Sequence, residues 1–213
     1  MIYTGTSWSE KCQIQCRDLG VGMMSSPVDL VHPDTIPKDV RVSCDNGAFR
    51  HYRDKTQFDE KKFYDWLNGI ERDVDFVAVP DIVCGGEESY EFSKKHVGNI
   101  THKKYFVVQD GMTFDSVYPV LSECDGCFIG GSTVIGKCEG WKWTMAPHFV
   151  ETCHSIGLPV HMGRCPGNLN GLFSAINIGI DSVDTSTLIR NQRLWRIPKL
   201  NKMVKEQMVF GVC

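Results

Sequence analysis

With 213 residues, 42% of them hydrophobic and 23% charged, the chain has the make-up of one globular domain rather than of a disordered or low-complexity protein. No run reaches the ~18 apolar residues of a membrane helix, and a net charge of −3 excludes a globally basic nucleic-acid-coating protein. The opening MIYTGTSWSEKC is no charged-then-apolar leader, which predicts a cytoplasmic protein. The ten cysteines are scattered and read as reduced thiols; Cys124 and Cys127 have CxxC spacing without a second half, so no metal is expected.

Apolar runs alternate with helical stretches along the chain. Ile2–Thr6 reads as a first strand and Glu10–Leu19 as a helix. Val21–Ser25 and Val40–Cys44 are the second and third strands, joined by a connection containing Pro27, Pro33 and Pro37. Phe58–Arg72 has Phe63, Trp66, Leu67 and Ile70 at helix spacing. Phe76–Val79 is the fourth strand and Glu87–Val97 a helix, acidic at its start and basic at its end. Tyr105–Val108 is the fifth strand, Thr113–Ser122 a helix and Cys127–Ile129 the sixth strand. A loop with Gly136, Gly140, Trp141 and Trp143 leads to a helix ending near Ile156, with Phe149, Val150 and Cys153 inward.

Val160–Met162 reads as the seventh strand, followed by a helix opened by Pro166. Leu169, Leu172, Phe173 and Ile176 give that helix its apolar face, and Gly179 is its C′ residue. Ser182–Ser186 is the eighth strand. Eight strands, most followed by a helix, predict one compact α/β domain over residues 1–213: a (β/α)8 TIM barrel rather than an open doubly wound sheet.

Polar residues and glycines collect where these strands end. They are Asp45-Asn46-Gly47, Asp81, Gln109-Asp110-Gly111, Gly130-Gly131 and Gly163, with Asp184 within the eighth strand. In such a barrel the carboxyl ends of the strands carry the active site. Strands four and eight lie opposite each other, so Asp184 is expected to face Asp45 and Asp81 across the mouth. Facing carboxylates suit substitution at an anomeric carbon, one attacking and the other exchanging a proton with the leaving and entering groups. Gln109 suits an amide-like heterocycle edge and Phe49 a planar ring. Taken singly, an Asp after a strand is most often a turn or cap residue, a duty foreseen for Asp110 and Asp181; His161 reads as a satisfied core histidine.

DNGAF (Asp45–Phe49), VPDIV (Val79–Val83), VVQDG (Val107–Gly111), FIGGS (Phe128–Ser132), HMGRCP (His161–Pro166) and GIDSVDTST (Gly179–Thr187) occur in an order that resembles the tRNA-guanine transglycosylases. The resemblance looks closest to the short phage-type relatives that place 7-deazaguanines in DNA. It implies exchange of guanine for a 7-deazaguanine, such as 7-cyano-7-deazaguanine, with no cofactor and an intact backbone. By motif position it makes Asp184 the nucleophile at C1′ and Asp45 the general acid/base. Asp81, Gln109, Gly130 and Gly131 would line the base edge, Phe49 would stack on the base, and Met162 and Gly163 would flank it. The chain departs from the family pattern at Ala48 and Arg50, in the STVIGK stretch after FIGG, and in having no zinc subdomain after the barrel. The last departure favours DNA over tRNA as the polynucleotide partner.

Arg190, Arg193, Arg196, Lys199 and Lys202 recur every third residue in a helix expected over about 190–207. The pattern fits a solvated helix face or a phosphate-contacting stripe, and the adjacent carboxylates favour phosphate. The rival functions are a tRNA-modifying relative, a base-excising hydrolase and a barrel that binds a nucleobase without catalysis.

Overall fold

The computed structural model describes residues 1–132 and 140–210, apart from the side chains of 206–210. Its strands are β1 (Ile2–Gly5), β2 (Val21–Ser25), β3 (Val42–Cys44), β4 (Val77–Ala78), β5 (Lys104–Val108), β6 (Gly126–Ile129), β7 (Val160–Met162) and β8 (Ser182–Asp184). All pair in parallel in sequence order, and β8 returns to β1 with Ile2 opposite Val183 and Tyr3 opposite Asp184. The chain is therefore a closed (β/α)8 barrel, as the alternation of strands and helices predicts.

The period-2 alternation of the strands sorts side chains into two layers. Val77, Phe106, Val108, Cys127, Ile129, Val160, Met162 and Val183 point outward into the main core under the helices. Tyr3, Met24, Phe76, Ala78, Val107 and Phe128 fill the barrel axis. Within that inner layer Phe76 stacks on Tyr105 at 4.1 Å and lies 5.0 Å from the His161 ring, while Phe128 lies 4.6 Å from it. These rings close the barrel below its carboxyl end.

The helices are α1 (Glu10–Asp18), α2 (Ala48–Asp54), α3 (Glu60–Asn68), α4 (Gly86–Val97), α5 (Phe114–Leu121), α6 (Trp141–Ser155), α7 (Leu169–Ile178), α8 (Thr187–Arg190) and α9 (Arg196–Phe210). Several differ from the sequence expectation. The helix expected over Phe58–Arg72 is shorter, because the Asp59 side chain caps Lys62 N at 3.0 Å and Gly69 ends it. Helix α7 starts at Leu169 and not at Pro166, because Asn168 is the cap, accepting from Gly171 N at 2.7 Å. Trp141 and Trp143 open α6 and do not lie in a loop.

The expected single basic helix over about 190–207 is also corrected. It is two helices, α8 and α9, separated by a turn in which Gln192 takes a left-handed φ of 50°. The break lets Leu188, Leu194 and Ile197 all enter one apolar cluster with Val21, Met23 and Val42. An unbroken helix would put Leu188 and Leu194 on different faces.

Candidate active site

Alternation carries past the strand ends and places the site. On β3 Cys44 faces the outer core, so the next residue, Asp45, faces the mouth. The same parity on β5, β6 and β8 brings in Gln109, Gly130 and Asp184. One cavity at the carboxyl end is lined by Asp45, Phe49, Asp81, Gln109, Gly130, Gly131, Gly163 and Asp184. Nearly all the residues expected to form the site thus share one enclosure.

Met162 is the exception. It is fully buried in the outer core and does not line the cavity, so it cannot flank a bound base. Parity explains this: His161 and Gly163 face inward, so the residue between them faces out. Phe128, from the inner layer, lines the cavity instead.

Asp184 is held asymmetrically. Its Oδ1 accepts from His161 Nε2 at 3.1 Å and from the Arg164 backbone N–H at 2.9 Å. No donor among the described residues is recorded on Oδ2. His161 has no solvent exposure, and its Nδ1 lies 2.8 Å from Ser182 Oγ. Burial pushes the histidine pKa down, against the pull of Asp184. A neutral ring that donates from Nε2 must accept at Nδ1, and the Ser182 hydroxyl supplies that proton. His161 is the satisfied core histidine that the sequence suggests, and it also orients a carboxylate in the site.

Asp81, 6% exposed, accepts from Asn46 Nδ2 at 2.7 Å and Gln109 Nε2 at 2.5 Å. Burial raises its pKa to about 6, against the effect of those two donors. Gln109 Oε1 in turn accepts from Gly131 N at 3.1 Å and Cys84 N at 3.2 Å, so the amide orientation is fixed. Asn46 also donates to Val79 O at 2.8 Å and accepts from Ala48 N at 2.8 Å, which ties the start of α2 to the end of β4. At Gly130 a Cβ would come within 2.6 Å of Gln109 Nε2, so a side chain there would dislodge the amide. At Gly131, φ is +58° and a Cβ would meet the Trp141 ring at 2.4 Å.

Burial, then the charges of Asp184 and Asp81, raise the Asp45 pKa to about 7. A carboxyl group so placed exchanges protons near neutral pH. Asp110 and Asp181 have the turn duties foreseen for them: Asp110 accepts from Ser132 N at 2.7 Å, and Asp181 from Val160 N at 2.7 Å.

Two cationic lining residues were not singled out in the sequence. Lys142, on α6, is 1% exposed and donates from Nζ to Gly163 O at 2.6 Å. Desolvation lowers its pKa to about 8, opposed by Asp184. Its sequence signal is positional: 142, 146, 149 and 153 fall on one helix face, and the other three are buried Ala146, Phe149 and Cys153. Arg164 follows β7 with a left-handed φ of 52°, and its guanidinium lies 3.5 Å from the centre of the Phe49 ring. Nothing in the local sequence marks it.

A neighbouring groove of about 370 Å³ shares Arg164 and Asp184 with the cavity and is also lined by Arg190 and Arg193. The rest of the expected basic stripe leads away from the mouth. Arg196 Nη1 donates to Gly167 O at 2.5 Å, whereas Leu200 and Asn201 already line a cavity with Met1 and Val21, at the amino end of the barrel. Lys199 and Lys202 are exposed on that descending helix. Of the STVIGK stretch, Thr133–Lys137 lie outside the described residues. Among the described residues there is no group of three potential metal ligands and no helix long and apolar enough to cross a membrane.

No family model and no curated protein matches the sequence. Among solved structures, the chain is similar to the orotidine 5′-monophosphate decarboxylase of Sulfolobus solfataricus, with 16% identity, a TM-score of 0.58, and coverage of 97% of this chain and 98% of that one. It is also similar to a protein assigned as a dihydrodipicolinate synthetase from Pseudomonas aeruginosa, with 11% identity, a TM-score of 0.52, and coverage of 93% and 78%. At these identities the likeness is one of fold, and it agrees with the closed eight-stranded barrel.

Proposed function

We propose that the chain is a base-exchange enzyme, a glycosyltransferase that replaces guanine in a polynucleotide, DNA in this reading, with a 7-deazaguanine. Asp184 Oδ2 attacks C1′ while Oδ1 stays tethered to His161 and the Arg164 N–H. The C1′–N9 bond breaks, and protonated Asp45 gives its proton to the departing guanine. The incoming base then returns a proton to Asp45, its N9 bonds to C1′, and the Asp184 carboxylate leaves. Asp81 and Gln109 read the hydrogen-bonding edge of the base, and Phe49 supplies a stacking face. A base in a duplex must first leave the stack, at a cost of roughly a few kcal/mol.

The observation that carries this reading is the pairing, in one mouth, of a carboxylate anchored through a single oxygen with a second carboxyl whose pKa is about 7. The test is incubation with DNA, and separately with tRNA, in the presence of labelled 7-deazaguanine, followed by a denaturing gel. Label in DNA and a covalent adduct lost in Asp184→Asn are expected. Label in tRNA alone moves the substrate to RNA. Free-base release without label points to a hydrolase, and tight binding with neither points to a non-catalytic barrel.

A further inference from the structure

The cavity that holds the three carboxylates measures about 50 Å³, room for a few waters and far below the ~300 Å³ at which small-molecule pockets begin. Asp81 and Gln109 are paired and fixed in its wall, whereas Arg164 enters the lining as a side chain from the turn after β7. Arg164 lies over Phe49 with its guanidinium carbon 3.5 Å from the ring centre, and both residues line the cavity. A guanidinium is flat, delocalised and about as thick as a heterocycle, and it stacks on aromatic faces as a base does. Arg164 is also an exposed residue at the rim, so moving its side chain disturbs no packed core.

Arg164 borders a second space as well. The adjoining groove, with Arg190 and Arg193 in its wall, is about 370 Å³ and opens beside Asp184. A nucleotide whose C1′ sits at Asp184 must lay its phosphates outside the base cavity, and the arginine-lined groove is the cationic space next to it.

We infer that Arg164 is a two-position residue: it covers the stacking face of Phe49 when the site is empty, and it turns into the Arg190–Arg193 groove to hold a backbone phosphate when a base enters. The inference rests on the base-exchange reading for the identity of the ligand. It adds a residue that couples base entry to polynucleotide binding: a free base alone must displace the cation, whereas a base attached to its phosphodiester gives that cation a new partner.

The test compares wild type with Arg164→Ala and Arg164→Lys in binding alone. Free guanine is titrated calorimetrically, and a single-stranded oligodeoxynucleotide is titrated by fluorescence anisotropy at several salt concentrations. Arg164→Ala is expected to bind guanine several-fold more tightly. It should bind the oligonucleotide about tenfold more weakly, with a salt slope reduced by about one. Arg164→Lys, which keeps the charge but not the stacking plane, should bind guanine like Arg164→Ala and the oligonucleotide like wild type. A melting temperature for each variant confirms that it folds. Shifts of the two affinities in the same direction, no shift, or no guanine binding by any of the three proteins overturns the inference. Failure of wild type to incorporate a deazaguanine counts instead against base exchange and leaves the opposed shifts in affinity to be judged separately.

Discussion

His161 Nε2 approaches Asp184 Oδ1 at 3.1 Å, and the histidine ring is wholly enclosed by the barrel. The contact fixes which carboxylate oxygen is anchored and which is left without a donor among the described residues. On the base-exchange reading His161 acts through Asp184 and is a positioning residue. In His161→Phe the ring remains but the donor is lost. The expected result is a fall of about 10²-fold in single-turnover adduct formation, the scale of losing one aimed hydrogen bond, with substrate KM little changed. His161→Gln, which can still donate, should recover part of the rate. A rise in KM at constant kcat would show that the histidine shapes the binding surface and does not aim the nucleophile.

Asp45 gives the site a pH signature. The folded protein keeps this proton to about pH 7, the unfolded chain only to about pH 4. Between those values the folded state binds more protons. Stability from this group therefore falls as pH rises through the window and is level above about 7. Asp81, raised to about 6, adds a slope that ends earlier. His161, whose pKa burial lowers, acts in the opposite sense in the same range, so the quantity to measure is the difference in urea midpoint between wild type and Asp45→Asn from pH 4.5 to 8. That difference should move towards Asp45→Asn as pH rises from 4.5 and become level above about 7. On the base-exchange reading, in which adduct formation needs the protonated acid, its rate should fall in wild type as pH rises through about 7.

Lys142 titrates in the opposite sense. Its folded pKa is about 8, below the ~10.4 of an unfolded lysine. Between those values the unfolded chain binds more protons, so this group's contribution to stability rises with pH across that window. Cysteine and tyrosine ionisation also acts there, so the quantity to measure is the difference between wild type and Lys142→Met. That difference should shift towards wild type as pH goes from 8 to 10. A difference independent of pH would mean that the buried amine holds its proton in the folded protein as firmly as in the unfolded chain.

The barrel was legible because most of its strands are short apolar runs closed by a glycine or a polar residue. Val160–Met162 lies between Pro159 and Gly163 and forms β7 with those bounds. Boundaries failed where local chemistry gave no cue. Helix α2 begins at Ala48 behind a left-handed Gly47 that offers no side-chain cap, so no start signal marks a helix there. The site carboxylates were legible as strand-end residues, and the parity that brings in Asp45, Gln109 and Asp184 is the same parity that excludes Met162. Lys142 reaches the mouth from a helix after a long connection, visible only as a cation on an otherwise apolar face. Arg164 depends on a backbone turn and on the position of Phe49 in an unforeseen helix, and no periodicity encodes that.

The break between α8 and α9 makes the basic residues unequal. By spacing alone Arg190, Arg193, Arg196, Lys199 and Lys202 form one basic series. In the fold, Arg190 and Arg193 line the groove next to Asp184, Arg196 is tied to the Gly167 carbonyl, and the two lysines sit on a helix that descends towards the amino end. If that groove holds the backbone, Arg193→Ala should weaken oligonucleotide binding about tenfold at low salt, and the slope of log K against log salt should shrink by about one. The double variant Lys199→Ala/Lys202→Ala removes more charge yet should leave both affinity and slope near wild type. Anisotropy titrations at four salt concentrations separate the two cases. Equal losses in the two variants would mean that the polynucleotide follows the outer helix down the barrel wall, and the phosphate track would then have to be redrawn along α9.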